Sequence, residues 1–259
     1  MPRFCANLGF LFEEMPFLDR FAAAARAGFA AVEFASPYEY PIPELRRRLD
    51  GEGLALVLIN TYPGNRAAGE RGFACVPGKA AEFRASVEQA LHYAAALGCG
   101  LVHVVAGVPP AGVARETAWA LYAANLAWAG EKALAAGIRL VVEPLNPRDA
   151  PGYLLATQEQ GAAIVEAIGR DRLGLQFDTY HCQIAQGDLA RRLEKLMPVI
   201  AHMQLGDVPD RHEPGTGEIG WDYLFRHIDR LGYRGWIGCE YRPLAGTEAG
   251  LGWRRRYGV

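Results

Sequence analysis

Four polar residues recur at a regular interval in the second half of the chain: Glu143, Asp178, Gln204 and Glu240. Their spacing is roughly the 30 residues that one strand–helix–strand unit occupies, so neighbouring units could present them side by side. Three carboxylates held close together repel one another, and a divalent cation removes that conflict. Oxygen ligands with an amide and no thiolate suit a hard ion. The set therefore predicts a Mg²⁺ or Mn²⁺ site rather than structural zinc.

Each of the four lies at or beside the end of a predicted strand. In residues 138–147, IRLVVEPLNP, an apolar run stops at Glu143, and Pro144 then ends the ladder because it has no backbone N–H. The other three follow or end the runs 173–177, 199–205 and 236–239. A solvated strand-end residue is the commoner outcome for any single position. Four such positions together favour a metal site, because ligands collect at the carboxyl ends of parallel strands.

Strand and helix alternate eight times along the chain. The predicted strands are residues 3–8, 30–34, 54–59, 101–105, 138–142, 173–177, 199–205 and 236–239. The predicted helices are residues 16–27, 42–50, 79–97, 116–136, 158–168, 189–197 and 221–231. Glycine at 28, 98, 137 and 232 is typical of the left-handed residue that ends a helix.

This alternation predicts the fold class, α/β with a parallel sheet. Eight units in 259 residues match a single (β/α)₈ TIM barrel, which usually takes about 250 residues. We find no break in composition, so one catalytic domain is expected over residues 1–259. An open Rossmann-like sheet is the alternative, but no G-x-G-x-x-G motif follows the first strand.

Composition excludes several classes of protein. The net charge of −2, from 27 basic and 29 acidic residues, gives no indication of nucleic acid or of a membrane surface as a partner. No apolar run of about 18 residues predicts a membrane span. The five cysteines include no pair spaced as in zinc or redox motifs, which favours reduced thiols in a cytoplasmic protein. Glu13 and Glu14 interrupt the N-terminal apolar stretch, so it is a poor signal peptide.

Further polar residues are expected on the same rim. Asn60 ends the third predicted strand, and His103 lies in the fourth, where a core role and a functional role are equally favoured. His181 is a stronger candidate because its loop starts at Asp178. Arg211, in the Gly- and Pro-rich loop 206–218, suits a carboxylate because a guanidinium can donate two parallel hydrogen bonds. Its competitors are Arg66 and Arg71.

Several motifs together resemble one family. The stretches VVEPLN, QFDTYH, HMQLGDVPDRHEPGTGE and GCEY, with NTYPG after the third strand, are similar to the hydroxypyruvate isomerases, a branch of the xylose isomerase-like barrels. The resemblance runs along the whole chain, and its most distinctive part surrounds Arg211. Wider relatives, the ketose 3-epimerases, keep Glu, Asp, His and Glu at the metal. Gln204 at the third position favours the hydroxypyruvate isomerase branch.

The resemblance implies an aldose–ketose type isomerase that interconverts hydroxypyruvate and tartronate semialdehyde through an enediolate. It implies that Glu143 and Glu240 are the acid/base pair and that Glu143, Asp178, Gln204 and Glu240 hold the metal. We expect the small 2-oxo or hydroxy acid substrate to be bound by His181, Arg211, Asn60 and His103.

Other functions stay open. The nearest is an isomerase of a longer 2-oxo acid such as 2-oxo-tetronate, followed by a ketose 3-epimerase. An endonuclease IV-type nuclease would need a histidine-rich, multi-zinc rim and a basic groove, whereas the chain has six histidines. A sugar-binding protein without activity is disfavoured by the two glutamates. Assembly into a homo-oligomer is left open.

Overall fold

The computed structural model describes residues 2–257. Within them lie nine strands: β1 Arg3–Asn7, β2 Ala31–Glu33, β3 Ala55–Leu56, β4 Leu58–Asn60, β5 Leu101–His103, β6 Arg139–Val142, β7 Leu173–Asp178, β8 Ile200–Leu205 and β9 Trp236–Cys239. Their order in the sheet is β3-β2-β1-β9-β8-β7-β6-β5-β4, and all neighbouring pairs are parallel.

The predicted TIM barrel is confirmed, with one local difference. The third predicted strand is divided at Val57, so that β3 pairs with β2 while β4 pairs with β5. β3 and β4 are thus the two edge strands of the sheet, which forms a nearly closed barrel.

Helices follow the strands: α1 Arg20–Arg26, α2 Ile42–Glu52, α3 Ala80–Leu97, α4 Arg115–Ala135, α5 Gln158–Ile168, α6 Thr179–Ala185, α7 Leu189–Leu196, α8 Trp221–Arg230, α9 Thr247–Gly250 and α10 Gly252–Arg256. The first predicted helix begins as a 3₁₀ turn, Phe17–Asp19, so its α-helical part starts later than expected. The four glycines predicted to end helices have φ from 70° to 81°, which confirms their left-handed geometry.

Three short helices were not predicted: α6, α9 and α10. Each has seven residues or fewer, too few to show the 3.6-residue periodicity that identifies a helix in sequence. Helix α6 depends instead on Asp178, whose side chain accepts hydrogen bonds from the N–H groups of Tyr180 and His181.

Alternation along the strands explains how the barrel presents polar groups. In β7, Leu173, Leu175 and Phe177 pack in the main hydrophobic cluster with residues of the surrounding helices. Successive side chains of a strand point to opposite faces, so Gln176 and Asp178 lie on the other, interior face. A smaller apolar cluster that includes Cys5, Ala31, Val57, Leu58 and Val141 packs separately from the main one. Among the described helices, none combines the length and apolarity that crossing a bilayer requires.

Candidate active site

The four residues singled out by their spacing all lie at the carboxyl ends of adjacent strands. Glu143 directly follows β6, Asp178 ends β7, Gln204 is the last but one residue of β8, and Glu240 directly follows β9. Asp178 and Gln204 are register partners. Glu143, Gln204 and Glu240 line a cavity of about 1070 Å³, and Asp178 is fully buried beside them. Because β9, β8, β7 and β6 are consecutive in the sheet, the two glutamates flank the strands that carry Asp178 and Gln204.

Two of these four residues, Glu143 and Asp178, form with His181 a group that has the composition of a metal site. One donor atom from each of Glu143, Asp178 and His181 lies within 4.8 Å of the others. The Oε1 atom of Glu143 is buried and has no hydrogen-bond partner within the described residues. A buried carboxylate oxygen without a partner is costly unless something binds it. The predominance of carboxylate oxygen in this group fits a hard divalent cation.

His181 is held in one tautomer. The backbone N–H of Asn146 donates to Nδ1 (3.2 Å), and the Asn146 amide nitrogen lies 2.7 Å from the same atom. A nitrogen that accepts from a backbone N–H is unprotonated, so the neutral ring carries its proton on Nε2. Nε2 is 3.8 Å from Oδ2 of Asp178. Burial and the charge of Arg211 hold the pKa of His181 well below its usual value. His181 can therefore donate a hydrogen bond from Nε2 at the site. In this tautomer it has no free lone pair for a cation, so the oxygen ligands of the group are those of Glu143 and Asp178.

Arg211 connects Glu240 to Asp178. Its Nη2 donates to Glu240 Oε1 (2.7 Å) and to Asp178 Oδ2 (3.0 Å), and its Nε donates to the backbone oxygen of Glu240 (3.2 Å). The guanidinium carbon lies 4.8 Å from the ring centre of Phe10 and 4.7 Å from that of Tyr180. Arg211 is 7% exposed. The sequence predicted a loop arginine that reaches toward substrate. The structure places Arg211 within the carboxylate cluster and on the cavity wall, and its contact with substrate stays a prediction.

Burial raises the pKa of the three carboxyl groups. The pKa of Glu143 lies well above its ordinary value because of burial and then because of Glu240 and Asp178. Burial also raises the pKa of Glu240 to about 8, against the opposing effect of Arg211. The pKa of Asp178 is raised by burial, and Arg211 and the N–H groups at the start of α6 limit the increase. The cluster can thus retain a proton at neutral pH, as a general acid requires.

His103 and Asn60 lie on the neighbouring strands β5 and β4 and line the same cavity. Nδ1 of His103 is 3.7 Å from Glu143 Oε2, and neither ring nitrogen has a hydrogen-bond partner in the described part of the chain. Burial, followed by the effect of His202, lowers the pKa of His103 to about 3. The ring is therefore neutral, and it differs from a core histidine whose hydrogen bonds are satisfied. The roles assigned to these residues from sequence stay predictions.

Two residues that the sequence argument missed contact or shape the site. Asn7 ends β1 and donates from Nδ2 to Glu240 Oε2 (3.2 Å). The strand-end rule used for Glu143 would have identified it. Asp207 is 1% exposed, and its carboxylate accepts five hydrogen bonds: three from the loop that carries Arg211, one from the N–H of Ile219 just after it and one from Trp221 Nε1 at the start of α8. Its surroundings in sequence, Leu-Gly-Asp-Val-Pro, predict only a turn.

Comparison with known proteins agrees with the fold. Residues 21–257 match the family model described as a xylose isomerase-like TIM barrel. A 2-oxo-tetronate isomerase of Cupriavidus necator is 52% identical over 257 residues, covering 99% of each chain. A hydroxypyruvate isomerase of Escherichia coli is 44% identical, covering 99% of this chain and 100% of the relative. A crystal structure titled AP endonuclease, family 2, from Brucella melitensis superposes with a TM-score of 0.96 at 45% identity, covering 99% of both chains. The chain therefore belongs to the xylose isomerase-like TIM barrel family.

Proposed function

We propose that this protein is a hydroxypyruvate isomerase, which interconverts hydroxypyruvate and tartronate semialdehyde (2-hydroxy-3-oxopropanoate). The observation that carries the proposal is the arrangement of Glu143 and Glu240. Buried Glu143 and partly buried Glu240 flank the strands of Asp178 and Gln204 at one cavity, and Glu143 belongs to a group that could hold a metal. Relatives named as hydroxypyruvate isomerase and 2-oxo-tetronate isomerase cover essentially the whole chain and support isomerase chemistry.

The reaction moves a carbonyl group between adjacent carbons. A base removes a proton from the carbon beside the carbonyl, which leaves an enediolate, and an acid returns a proton to the neighbouring carbon. Glu143 and Glu240 serve as this pair, with their order depending on the direction of the reaction. Their raised pKa values favour a state in which one is protonated while the other is ionised.

A Mg²⁺ or Mn²⁺ ion held by Glu143, Asp178, Gln204 and Glu240 would supply electrostatic stabilisation of the developing negative charge. His181 donates from Nε2 to a substrate oxygen, since its Nδ1 is already occupied by Asn146. His103 and Asn60, on the cavity wall, are placed to contact the same small molecule.

Arg211 orients the carboxylate of the substrate. Its hydrogen bonds use Nε and Nη2, and Nη1 has no hydrogen-bond partner among the described residues. A short acid offers little apolar surface, so its carboxylate has to provide much of its orientation. Arg66 and Arg71 also line the cavity and are the alternative anion contacts.

An isomerase of a four-carbon 2-oxo acid is the second candidate. It is favoured by the 52% identity to a 2-oxo-tetronate isomerase. The cavity of about 1070 Å³ also has room for a longer acid than hydroxypyruvate. A nuclease of the endonuclease IV type is not favoured, because it would need several metal sites. The described residues contain one group of three acidic, histidine or cysteine side chains suited to a metal, namely Glu143, Asp178 and His181.

We also propose a location in the cytoplasm. All five cysteines are buried and free, as is usual in a reducing compartment.

Proton NMR in D₂O, with Mg²⁺ as the only added metal ion, tests the activity on hydroxypyruvate and on 2-oxo-tetronate in parallel. We expect product formation together with deuterium incorporation at the exchanging carbon, because the base equilibrates its proton with solvent. A higher kcat/KM on the four-carbon acid would select the second candidate. Failure to turn over or exchange either acid would exclude both.

A further inference from the structure

Glu33 is a fully buried carboxylate in the wall of the same cavity that the proposed metal ligands line. It ends β2, and its side chain is paired with neither lysine nor arginine within the described residues. It accepts hydrogen bonds from His202 Nε2 (2.7 Å), Gln204 Nε2 (2.7 Å) and Asn7 Nδ2 (2.9 Å), and Cys5 Sγ lies 3.5 Å away.

The carboxylate of Glu33 accepts from the amide nitrogens of both Asn7 and Gln204, so it determines how each of these amides is oriented. Gln204 must direct its nitrogen toward Glu33. Its oxygen is then directed elsewhere and accepts a hydrogen bond from Gln176 Nε2 (2.6 Å), which leaves a second lone pair. Without Glu33, either the oxygen or the nitrogen of Gln204 could face a ligand.

Asn7 is oriented in the same way. Its nitrogen donates both to Glu33 Oε1 (2.9 Å) and to Glu240 Oε2 (3.2 Å), and its oxygen accepts from the N–H of Gly9 (2.9 Å). Glu33 therefore holds two amides, one of which lies beside Asp178 in the strand register while the other contacts Glu240.

The position of the carboxylate is itself constrained. A Cβ atom placed on Gly238 would lie 2.2 Å from Glu33 Oε1, so the backbone of β9 packs directly against the carboxylate. Gly238 is two residues before Glu240, and Glu33 is thus fixed against the strand that carries one of the proposed catalytic glutamates.

We propose that Glu33 is a positioning residue, which orients the amide of Gln204 with its oxygen available to the cation and the amide of Asn7 with its N–H toward Glu240. The inference deepens the proposed function and rests on the metal assignment of Gln204. Partners behind metal ligands commonly change metal affinity by 10- to 100-fold when they are altered.

Mn²⁺ titration by calorimetry tests this role without relying on turnover. Glu33→Gln keeps the shape but adds an N–H donor, so the amide of Gln204 loses its fixed orientation. We expect Mn²⁺ affinity to fall by about 10- to 100-fold, with a parallel fall in kcat/KM. Glu33→Asp keeps the charge but withdraws the carboxylate by one methylene, and it provides the test if Glu33→Gln does not fold. The control is Cys5→Ala, which removes another neighbour of Glu33 and should leave Mn²⁺ affinity unchanged.

A double-mutant cycle separates positioning from general stability. If Glu33 acts through Gln204, then adding Glu33→Gln to Gln204→Ala should cost much less affinity than it does in the wild type. Multiplicative losses, or unchanged Mn²⁺ affinity in both Glu33 variants, would overturn the inference while leaving the isomerase proposal intact. A wild-type protein that isomerises neither acid and binds no Mn²⁺ would overturn the proposed function and this inference with it.

Discussion

Nη2 of Arg211 lies 2.7 Å from Oε1 of Glu240, and the same nitrogen lies 3.0 Å from Oδ2 of Asp178. One guanidinium therefore compensates two carboxylates, the fully buried Asp178 and the partly buried Glu240. Without this partner the charge of fully buried Asp178 would be left uncompensated, which is destabilising. Arg211 consequently affects the protein in two ways, by stabilising the cluster and by presenting a cation at the cavity.

Replacing Arg211 should distinguish acids from neutral substrates. If it holds the substrate carboxylate, Arg211→Ala should cost about 2–5 kcal/mol in transition-state binding, seen as a lower kcat/KM. Arg211→Lys should lie between alanine and wild type, because it keeps the charge but loses the planar geometry. Neutral hydroxyketones should be affected far less. An equal loss on both kinds of substrate would mean that Arg211 only stabilises the cluster, and Arg66 would become the next candidate.

Glu240→Gln should abolish turnover while the fold is retained. Glutamine keeps the shape of the side chain but cannot exchange a proton with the substrate. Circular dichroism checks the fold, and NMR in D₂O checks both isomerisation and proton exchange. The matched control is Glu166→Gln on the exposed face of α5, which should behave as wild type. Wild-type rates from Glu240→Gln would remove this residue from the mechanism.

The stability of the metal-free protein should fall as pH rises from about 4.5 to about 8. The pKa of Glu240 in the folded protein is about 8 against an ordinary value of 4.5, so in this window the folded state binds more protons than the unfolded state. The free energy of unfolding then decreases with increasing pH. Thermal unfolding in chelator at pH 5 and pH 8 measures the effect, and Glu240→Gln should show a smaller difference in Tm. An equal pH dependence in the variant would show that other groups cause it.

Removing and restoring the metal should change stability through mass action. Addition of Mn²⁺ at 100 times its Kd to the chelator-treated protein should stabilise it by about 2.7 kcal/mol, because the unfolded chain lacks the site. Asp178→Asn, which keeps an oxygen but removes a charge, should show a much smaller gain at the same concentration. Equal gains in the two proteins would place the ion elsewhere.

Asp207→Asn should disturb the loop that carries Arg211. The carboxylate accepts hydrogen bonds from Trp221 Nε1 and from four backbone N–H groups, those of Val208, Gly215, Gly217 and Ile219. Its backbone oxygen also accepts from the N–H of Arg211 (2.9 Å). An asparagine would oppose these donors with its own NH₂ group, so we expect a loss of about 1–3 kcal/mol in stability and a lower kcat/KM. Asp210→Asn, at an exposed position of the same loop, is the control and should change neither measurement.

The sequence by itself determined the barrel and the strand ends at which polar groups meet. Repeated apolar runs ended by Glu143, Asp178 and Glu240 are local signals, because strand length, proline placement and the spacing of βαβ units are all encoded over short stretches. The same reasoning located Gln204 beside them, and the register of β7 with β8 pairs it with Asp178.

Only the tertiary structure decided how these groups are paired. Arg211 bridges Asp178 and Glu240, although 33 and 29 residues separate it from them. Glu33 is hydrogen-bonded to Gln204 and His202, which are 171 and 169 residues away in the sequence. No local pattern encodes such contacts, because they depend on the closure of the barrel, which brings β2 opposite β8. Burial shifts the pKa of each carboxyl group for the same reason, since the loss of solvent is a property of the closed barrel and not of the residue type.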